Sequence, residues 1–232
     1  MKKILIIHPS RGRPKQARKI LETINTNASG ENPITYIFCL DSDDATVLEY
    51  QDIEKASVNV GPSTSNIEAA NRVYSKELLA AHDICAIASD DIYFPENWDT
   101  AIIAVLDQVG YDKIIKTTNQ FQGDHNLLNL QIGGAQFFIN YGTFYWPEYI
   151  TMYADTDMTM FAQQHGYYVE ARHLLFPHMQ YSLSMPPEIT NKYGPIPGID
   201  ATYERENRAE AYIVGQRIID RRRGEGFPPW QK

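Results

Sequence analysis

The chain has 232 residues and a formal net charge of −8 at neutral pH, which argues against broad electrostatic binding to nucleic acid. A hydrophobic content of 43% and a charged content of 22% predict a globular protein with a substantial core. The first apolar run, residues 4–7, is too short for a signal peptide or a membrane span, and both cysteines lie in apolar, strand-like runs. We therefore expect a cytoplasmic protein without a transmembrane segment and with buried, reduced thiols.

The first half of the chain alternates apolar runs with helical patterns. Residues 3–8, 34–40, 57–60 and 84–88 are predicted strands. Amphipathic helices are predicted between and after them, with these apolar positions on their inner faces: Ala17, Ile20, Leu21 and Ile24; Ile67, Ala70, Tyr74 and Leu78; Trp98, Ile102, Val105, Leu106 and Val109. The second of these helices begins at the capping-box pattern of residues 65–68. Strands too apolar to face water predict an α/β fold with a mostly parallel central sheet flanked by helices.

The second half is less regular. We expect a strand over 113–118, a polar loop over 119–129 and strand material over 130–140 bent at its two glycines. A helix over 155–165 and a short strand over 167–171 follow.

The C-terminal part is predicted to hold a long loop and one helix. Residues 186–198 contain four prolines and read as a loop or flap, and residues 203–223 read as a final helix. Because no change in composition demands a second independent unit, we expect residues 1–185 to form the main domain and residues 186–232 to pack on it.

The pair Asp90–Asp91 stands directly after the predicted buried strand over 84–88. Two adjacent carboxylates repel each other unless a cation neutralises them, and oxygen ligands suit Mg²⁺ or Mn²⁺. The carboxyl ends of strands in an open α/β sheet are also where ligands bind. Taken alone, the pair fits a solvated turn before a helix equally well.

Two further acidic clusters favour the functional interpretation of the Asp90–Asp91 pair. Residues 41–44 follow the second predicted strand, and residues 155–157 open a predicted helix. Each has a simpler reading, as a solvated turn or a helix cap. Because two of the three clusters end predicted parallel strands, we expect shared functional use of at least two.

In order and spacing, these features resemble the GT-A glycosyltransferases, closest to the family 2 type. The resemblance runs from about residue 3 to 180 and rests on the following segments: IleLeuIleIleHisProSerArgGlyArgPro over 4–14, the acidic strand end at Asp41 and Asp43, residues 66–72 and 80–83, Ser89 to Pro95, Gly133-Gly134-Ala135, and Asp155-Thr156-Asp157. One departure is clear, since Ala88 stands where the family usually has the first Asp of its metal motif. The motif is thereby shortened to Asp90–Asp91, so which carboxylate takes the ribose and which the metal stays open.

The resemblance implies a role for each of these segments. The residues implied to bind the nucleotide sugar are Pro9, Ser10, Arg11, Arg13, Asp41, Asp43, Asn66, Asn71 and Asp90. Those implied to hold Mn²⁺ or Mg²⁺ are Asp90, Asp91 and, as a late histidine, His178. The segment Gly133-Gly134-Ala135 is implied to lie on the acceptor side. Solvated loop arginines and a structural histidine beside Pro177 are the simpler alternatives.

The acidic pair Asp155 and Asp157 is implied to supply the catalytic base. Asp155 stands where a helix begins, so a capping hydrogen bond would hold its pKa low and make it a poor base. We therefore predict Asp157 as the base and Asp155 as a cap.

The resemblance implies a metal-dependent, inverting glycosyltransferase that moves a sugar from a UDP- or GDP-linked donor to an acceptor hydroxyl. The nature of the acceptor is open. A nucleotidyltransferase acting on a sugar phosphate is a second interpretation, weakened because the first loop holds only Gly12. A third is an inactive nucleotide- or carbohydrate-binding module, against which the intact acidic clusters argue.

Overall fold

The computed structural model describes residues 1–118, 126–179, 186–195 and 198–231. Within them the strands are β1 (Ile4–Ser10), β2 (Ile34–Asp41), β3 (Ser57–Gly61), β4 (Ile84–Ile87), β5 (Ile114–Thr118), β6 (Gln131–Gly134) and β7 (Tyr168–Leu175). The helices are α1 (Pro14–Asn27), α2 (Val47–Gln51), α3 (Asn66–Asn71), α4 (Lys76–Ala80), α5 (Trp98–Val109), α6 (Ala135–Tyr141), α7 (Ala154–Gln164), α8 (Pro187–Tyr193), α9 (Ala201–Glu206) and α10 (Ala209–Glu225).

The strands form one seven-stranded sheet in the order β3-β2-β1-β4-β6-β5-β7. Every described pairing is parallel except those of β6, which runs antiparallel to both β4 and β5. The predicted mostly parallel sheet is confirmed. β1 lies between β2 and β4, so the carboxyl ends of these three strands meet at one edge of the sheet.

Helices cover both faces of the sheet, which explains why β1 is apolar at successive positions. Ile4 and Ile6 of β1 pack with Ile20 of α1 and Trp98 of α5 on one face. Leu5 and Ile7 point to the other face, where Phe137, Phe161 and Ile219 of α6, α7 and α10 belong to the same core cluster. A strand buried on both faces shows a continuous apolar run instead of an alternating one.

The helix predicted from residue 66 is two helices. Ser65 Oγ accepts a hydrogen bond from the Glu68 amide at 3.2 Å and caps α3, as the capping pattern predicted. Ser75 Oγ accepts one from the Leu78 amide at 3.0 Å and caps α4. The chain stops and restarts between the caps, so the prediction of one continuous amphipathic face was wrong.

The segment predicted as bent strand material over 130–140 is strand β6 followed by helix α6. A Cβ at Gly133 would lie 2.5 Å from the Lys113 carbonyl oxygen, and one at Gly134 would lie 1.8 Å from that of Tyr111. The two glycines therefore let β6 approach the start of β5. They lie in the sheet and not beside the cleft described below, which corrects the implied acceptor-side position.

The C-terminal part differs from its prediction in two places. The loop expected over 186–198 contains α8, and the single helix expected over 203–223 is α9 followed by α10. Most of the predicted 119–129 loop lies outside the described residues, which exclude 119–125.

Cys39 of β2 and Cys85 of β4 are free and buried, as predicted. Burial raises the pKa of the Cys39 thiol to about 12 and that of Cys85 well above its ordinary value. In the described ranges, no helix has both the length and the apolar composition that crossing a bilayer requires.

Candidate active site

A cleft of about 340 Å³ opens at the carboxyl ends of β1, β2 and β4. The residues predicted for the site that line it are Pro9, Ser10, Arg11, Arg13, Asp41, Asn66, Asp90, Asp91, Asp155 and His178. The structure thus brings together ten of the predicted positions from six separate parts of the chain. It leaves Asp43, Asn71 and Asp157 outside the lining.

Asp90 is buried and held by the end of β1. Ser10 Oγ lies 2.9 and 3.0 Å from the two carboxylate oxygens of Asp90 and 2.7 Å from the Tyr50 hydroxyl. His8 Nε2 lies 3.0 Å from Asp90 Oδ1 without the alignment of a hydrogen bond, while His8 Nδ1 contacts the Tyr36 hydroxyl. Ser10 and His8, both of β1, together with Tyr50 therefore hold the Asp90 carboxylate in place.

Asp91 turns the other way and pairs with His178. His178 Nε2 lies 3.1 Å from Asp91 Oδ2, and the backbone joins the two segments through a bridge between Ile92 and His178. Burial alone would raise the pKa of Asp91, but the charge and hydrogen bonds of His178 and Ser89 outweigh it and the pKa is lowered. Burial opposes protonation of His178, yet the Asp91 carboxylate raises its pKa above the ordinary value. Each residue thus stabilises the charged form of the other.

The three residues predicted to hold a metal do not form one cluster. Asp91 and His178 contact each other, whereas Asp90 is engaged by Ser10 and His8. No group of three or more ligating side chains that could hold a metal ion occurs in the described part of the chain. One carboxylate beside one imidazole still fits Mn²⁺ or Mg²⁺, since such ions are usually held by one or two protein ligands plus substrate phosphates and water.

The arginines of the loop after β1 are paired within the chain. Arg11 Nη1 donates to Asp41 Oδ2 at 2.9 Å, and its guanidinium also binds the exposed Asp43. Arg13 donates from Nε and Nη2 to the two carboxylate oxygens of Asp200 at 2.7 and 2.6 Å. The hydrogen bond from Arg11 lowers the pKa of Asp43. Asp43 does not line the cleft itself but contacts Arg11, which does.

Asp41 has both of its oxygens occupied. Ser63 Oγ donates to Oδ1, and Arg205 Nη1 donates to Oδ2 at 2.6 Å, alongside Arg11. The carboxylate is buried at the end of β2. It ties the C-terminal segment to the sheet edge.

Asn71 has a structural position. Its side-chain oxygen accepts hydrogen bonds from the Tyr145 amide at 2.9 Å and from Thr143 Oγ1 at 3.0 Å, and its Nδ2 donates to the Tyr145 carbonyl at 2.7 Å. These three hydrogen bonds hold the turn after α6. Asn71 does not line the cleft, and its contact with the nucleotide sugar stays a prediction.

The structure places Asp155 at the cleft and Asp157 away from it, whereas Asp157 was predicted as the base and Asp155 as a cap. Asp157 is fully buried and bonded to Arg222, whose Nε and Nη2 lie 2.7 and 3.0 Å from its oxygens. It faces the core instead of the cleft. Asp155 lines the cleft, and the residue before α7 is Tyr153, so Asp155 is not the N-cap. Burial raises the pKa of Asp155, opposite to the lowering that capping predicted, although its Oδ1 accepts from the Thr156 amide.

The sequence did not predict that the segment after α8 forms one side of the cleft. Thr202, Tyr203, Arg205, Glu206 and Asn207 line the cleft. No local pattern in a helical segment indicates which distant strand ends it meets.

A second missed element is the turn before Asp155. Tyr153 lines the cleft with a left-handed φ of 72°. A Cβ at Gly215 of α10 would lie 2.6 Å from the Met152 carbonyl oxygen and 2.7 Å from Tyr153 Cδ2. An isolated glycine inside a helical pattern indicates such a close approach, so Gly215 could have predicted the contact of α10 with this turn.

No protein-family model matches the sequence, and no curated protein matches it. Among solved structures, residues 1–349 of TarS from S. aureus superpose with a TM-score of 0.55 at 10% identity, covering 76% of this chain and 60% of that one. The chain therefore spans less than two thirds of that TarS fragment.

Two further solved structures contain bound nucleotides. Glucosyl-3-phosphoglycerate synthase from Mycobacterium tuberculosis, in complex with Mn²⁺, UDP and phosphoglyceric acid, superposes with a TM-score of 0.55 at 12% identity, covering 83% of this chain and 75% of that one. TarS in complex with UDP-GlcNAc gives a TM-score of 0.53 at 12% identity, covering 75% and 57%. At such identities the likeness shows the fold, and the chain has the GT-A fold that these glycosyltransferases share.

Proposed function

We propose that this protein is a metal-dependent, inverting glycosyltransferase that moves a sugar from a UDP- or GDP-linked donor to an acceptor hydroxyl. The observation that carries the proposal is the shared cleft. It places the Asp91–His178 pair, Arg13 and the carboxyl of Asp155, whose pKa burial raises, around one space at the strand ends. The similar structures with UDP and Mn²⁺ bound support the same class of donor.

The donor diphosphate is proposed to lie against Asp91, His178 and Arg13. Asp91 and His178 would hold the divalent cation, which when bound stabilises the negative charge of the leaving diphosphate. Arg13 brings a guanidinium whose Nη1 lies 4.0 Å from Asp90 Oδ2, so its charge is already at this end of the cleft. Guanidinium groups suit phosphate oxygens because their donors match them in pairs.

Asp155 is proposed as the catalytic base. It accepts the proton of the acceptor hydroxyl while that oxygen attacks the anomeric carbon and the bond from this carbon to the diphosphate oxygen breaks. The leaving nucleoside diphosphate keeps the electron pair. A carboxyl with a raised pKa is a stronger base than an exposed one, and Asp155 has no ion-pair partner among the described residues that would hold its proton affinity down.

The residue ranges 1–185 and 186–232 are proposed to act as one unit. The first range supplies the strand ends, and the second supplies Thr202 to Asn207 on the opposite wall. A donor bound in the cleft would touch both.

The proposal is tested by a thermal-shift screen of UDP-, GDP- and CDP-sugars with Mn²⁺ or Mg²⁺, followed by a donor-hydrolysis assay. We expect a stabilising shift with one nucleotide sugar that chelation removes, and slow release of its nucleoside diphosphate. Binding without turnover, also when simple sugar acceptors are added, would favour a binding module. Release of inorganic pyrophosphate from a nucleoside triphosphate and a sugar phosphate would favour a nucleotidyltransferase.

A further inference from the structure

The segment Asp200 to Glu206 is attached to the opposite wall of the cleft at three points. Asp200 binds Arg13 through both carboxylate oxygens, at 2.7 and 2.6 Å. Thr202 Oγ1 donates to the Arg11 carbonyl at 3.0 Å, and Arg205 Nη1 donates to Asp41 at 2.6 Å. Each attachment ends on a residue at the strand-end edge that the proposed donor would meet.

The Asp200–Arg13 contact has the geometry of a phosphate contact. Two parallel N–H groups of one guanidinium meet two oxygens of one anion, which is how arginine also binds a phosphate group. With Nε and one N–H of Nη2 committed to Asp200, this fork of Arg13 is occupied, and a ligand can reach only the remaining N–H groups of Nη1 and Nη2. A diphosphate that takes this fork must displace the carboxylate.

We propose that Asp200 is an internal stand-in for the donor diphosphate, which holds the Arg13 fork when no donor is bound and thereby sets the affinity for donor and nucleoside diphosphate product. This inference rests on the proposed function. Its direction is opposite to that of an ordinary binding residue, because loss of the Asp200 charge frees the fork and tightens diphosphate binding.

Asp200 also caps helix α9, and the test variant must keep this cap. Its Oδ1 accepts a hydrogen bond from the Tyr203 amide at 2.8 Å and caps α9. Asparagine is as good an N-cap as aspartate. Asp200→Asn therefore keeps the cap and removes the charge that competes for Arg13.

The experiment measures the Kd of UDP and of inorganic pyrophosphate with Mn²⁺ by calorimetry at low salt. We expect Asp200→Asn to lower both Kd values roughly two- to fivefold, the range set by a partly exposed ion pair. Asp220→Asn is the matched control, because Asp220 is similarly exposed and pairs with another arginine, Arg223, at 3.1 Å. It should leave both Kd values unchanged.

A double-mutant cycle decides whether the effect acts through Arg13. In an Arg13→Gln background, Asp200→Asn should give no further gain. A gain of equal size in that background, or in Asp220→Asn, would overturn the inference in favour of a general charge effect.

The remaining outcomes separate this inference from the proposed function. If the unaltered protein binds UDP and Asp200→Asn binds it equally or less tightly, Asp200 orients Arg13 and the inference alone falls. If neither protein binds UDP, GDP, CDP or pyrophosphate, both proposals fall. Binding by Asp200→Asn alone supports the inference.

Discussion

Asp157 and Arg222 form a fully buried ion pair between α7 and α10, with Arg222 Nε 2.7 Å from Asp157 Oδ2. The hydroxyls of Tyr141 and Tyr149 donate to the same carboxylate at 2.7 and 3.1 Å. The guanidinium carbon lies 3.4 Å from the centre of the Trp146 ring. The carboxylate is saturated, which explains why it serves to join the last helix to the core and does not face the cleft.

Asp157→Asn should therefore destabilise the protein strongly. Removing one partner of a buried pair leaves the other charge uncompensated and costs about 3–5 kcal/mol. Urea unfolding measures this loss. Asp220→Asn, which breaks an exposed pair, should change the free energy of unfolding by less than about 1 kcal/mol. An equal effect of the two variants would contradict the structural role of Asp157.

Asp155→Asn should bind donor normally and lose turnover. Loss of a general base costs about 10²- to 10⁴-fold in rate. Single-turnover assays with the identified donor and acceptor measure the rate, and calorimetry measures donor binding. Full activity of Asp155→Asn, beside a folded but inactive Asp157→Asn, would contradict the assignment.

Asp91→Asn should remove most metal-dependent nucleotide binding and leave the fold intact. The amide cannot neutralise a divalent cation beside His178. Calorimetry with UDP or GDP, with Mn²⁺ and with chelator, makes the measurement. Asp112→Asn removes a charge paired with Lys113 at 3.1 Å, on a residue that does not line the cleft, and should bind like the unaltered protein. Binding that neither Asp91→Asn nor chelation alters would show that the metal assignment is wrong.

Glu206→Gln should remove a pH dependence of stability. Burial raises the pKa of Glu206 from 4.5 to about 7, against the favourable charges of Arg205 and Arg208, and the Asp41 carboxylate raises it further. A carboxyl whose pKa is higher in the folded state takes up protons more readily there, so stability falls as pH rises from about 4.5 to about 7. The full loss above pH 7 is on the order of 3 kcal/mol.

Urea unfolding at pH 5 and pH 8 measures this effect. We expect Glu206→Gln to be more stable than the unaltered protein at pH 8, with the gain shrinking at pH 5. A constant difference between the two proteins at both pH values would show that Glu206 does not titrate in this range.

Two glycines should respond to alanine in opposite directions. A Cβ at Gly134 would lie 1.8 Å from the Tyr111 carbonyl oxygen, so Gly134→Ala should cost at least about 1–3 kcal/mol or prevent folding. Gly224 in α10 has nothing within 4 Å of its Cβ position, and Gly224→Ala should stabilise by about 0.4–1 kcal/mol. Thermal unfolding of both variants makes the comparison.

Local patterns predict those parts of this fold that local physics decides. β1 and β4 were predictable because strands buried on both faces are continuously apolar. Ser65 was predictable as a cap because its partner Glu68 lies within the same turn. The second cap, Ser75, was hidden because the apolar spacing continues across the break between α3 and α4.

Most of the candidate cleft was predictable because parallel strands bring their carboxyl ends together, as Ser10, Asp41 and Asp90 illustrate. The choice between Asp155 and Asp157 depends on a partner 65 residues beyond Asp157, and no spacing rule reaches that far. The position of Asn71 outside the cleft could not be predicted for the same reason, since its partner Tyr145 is 74 residues away.

The two buried thiols make this protein a natural background for site-directed probes. Cys39 and Cys85 are its only cysteines, and burial keeps both protonated at neutral pH, so neither will react readily with maleimides or spin labels. If one cysteine were introduced on the exposed face of α9 and another on α1, these two would be the only reactive thiols. The distance between two such labels would report directly whether the Asp200 segment leaves the opposite wall when a diphosphate arrives.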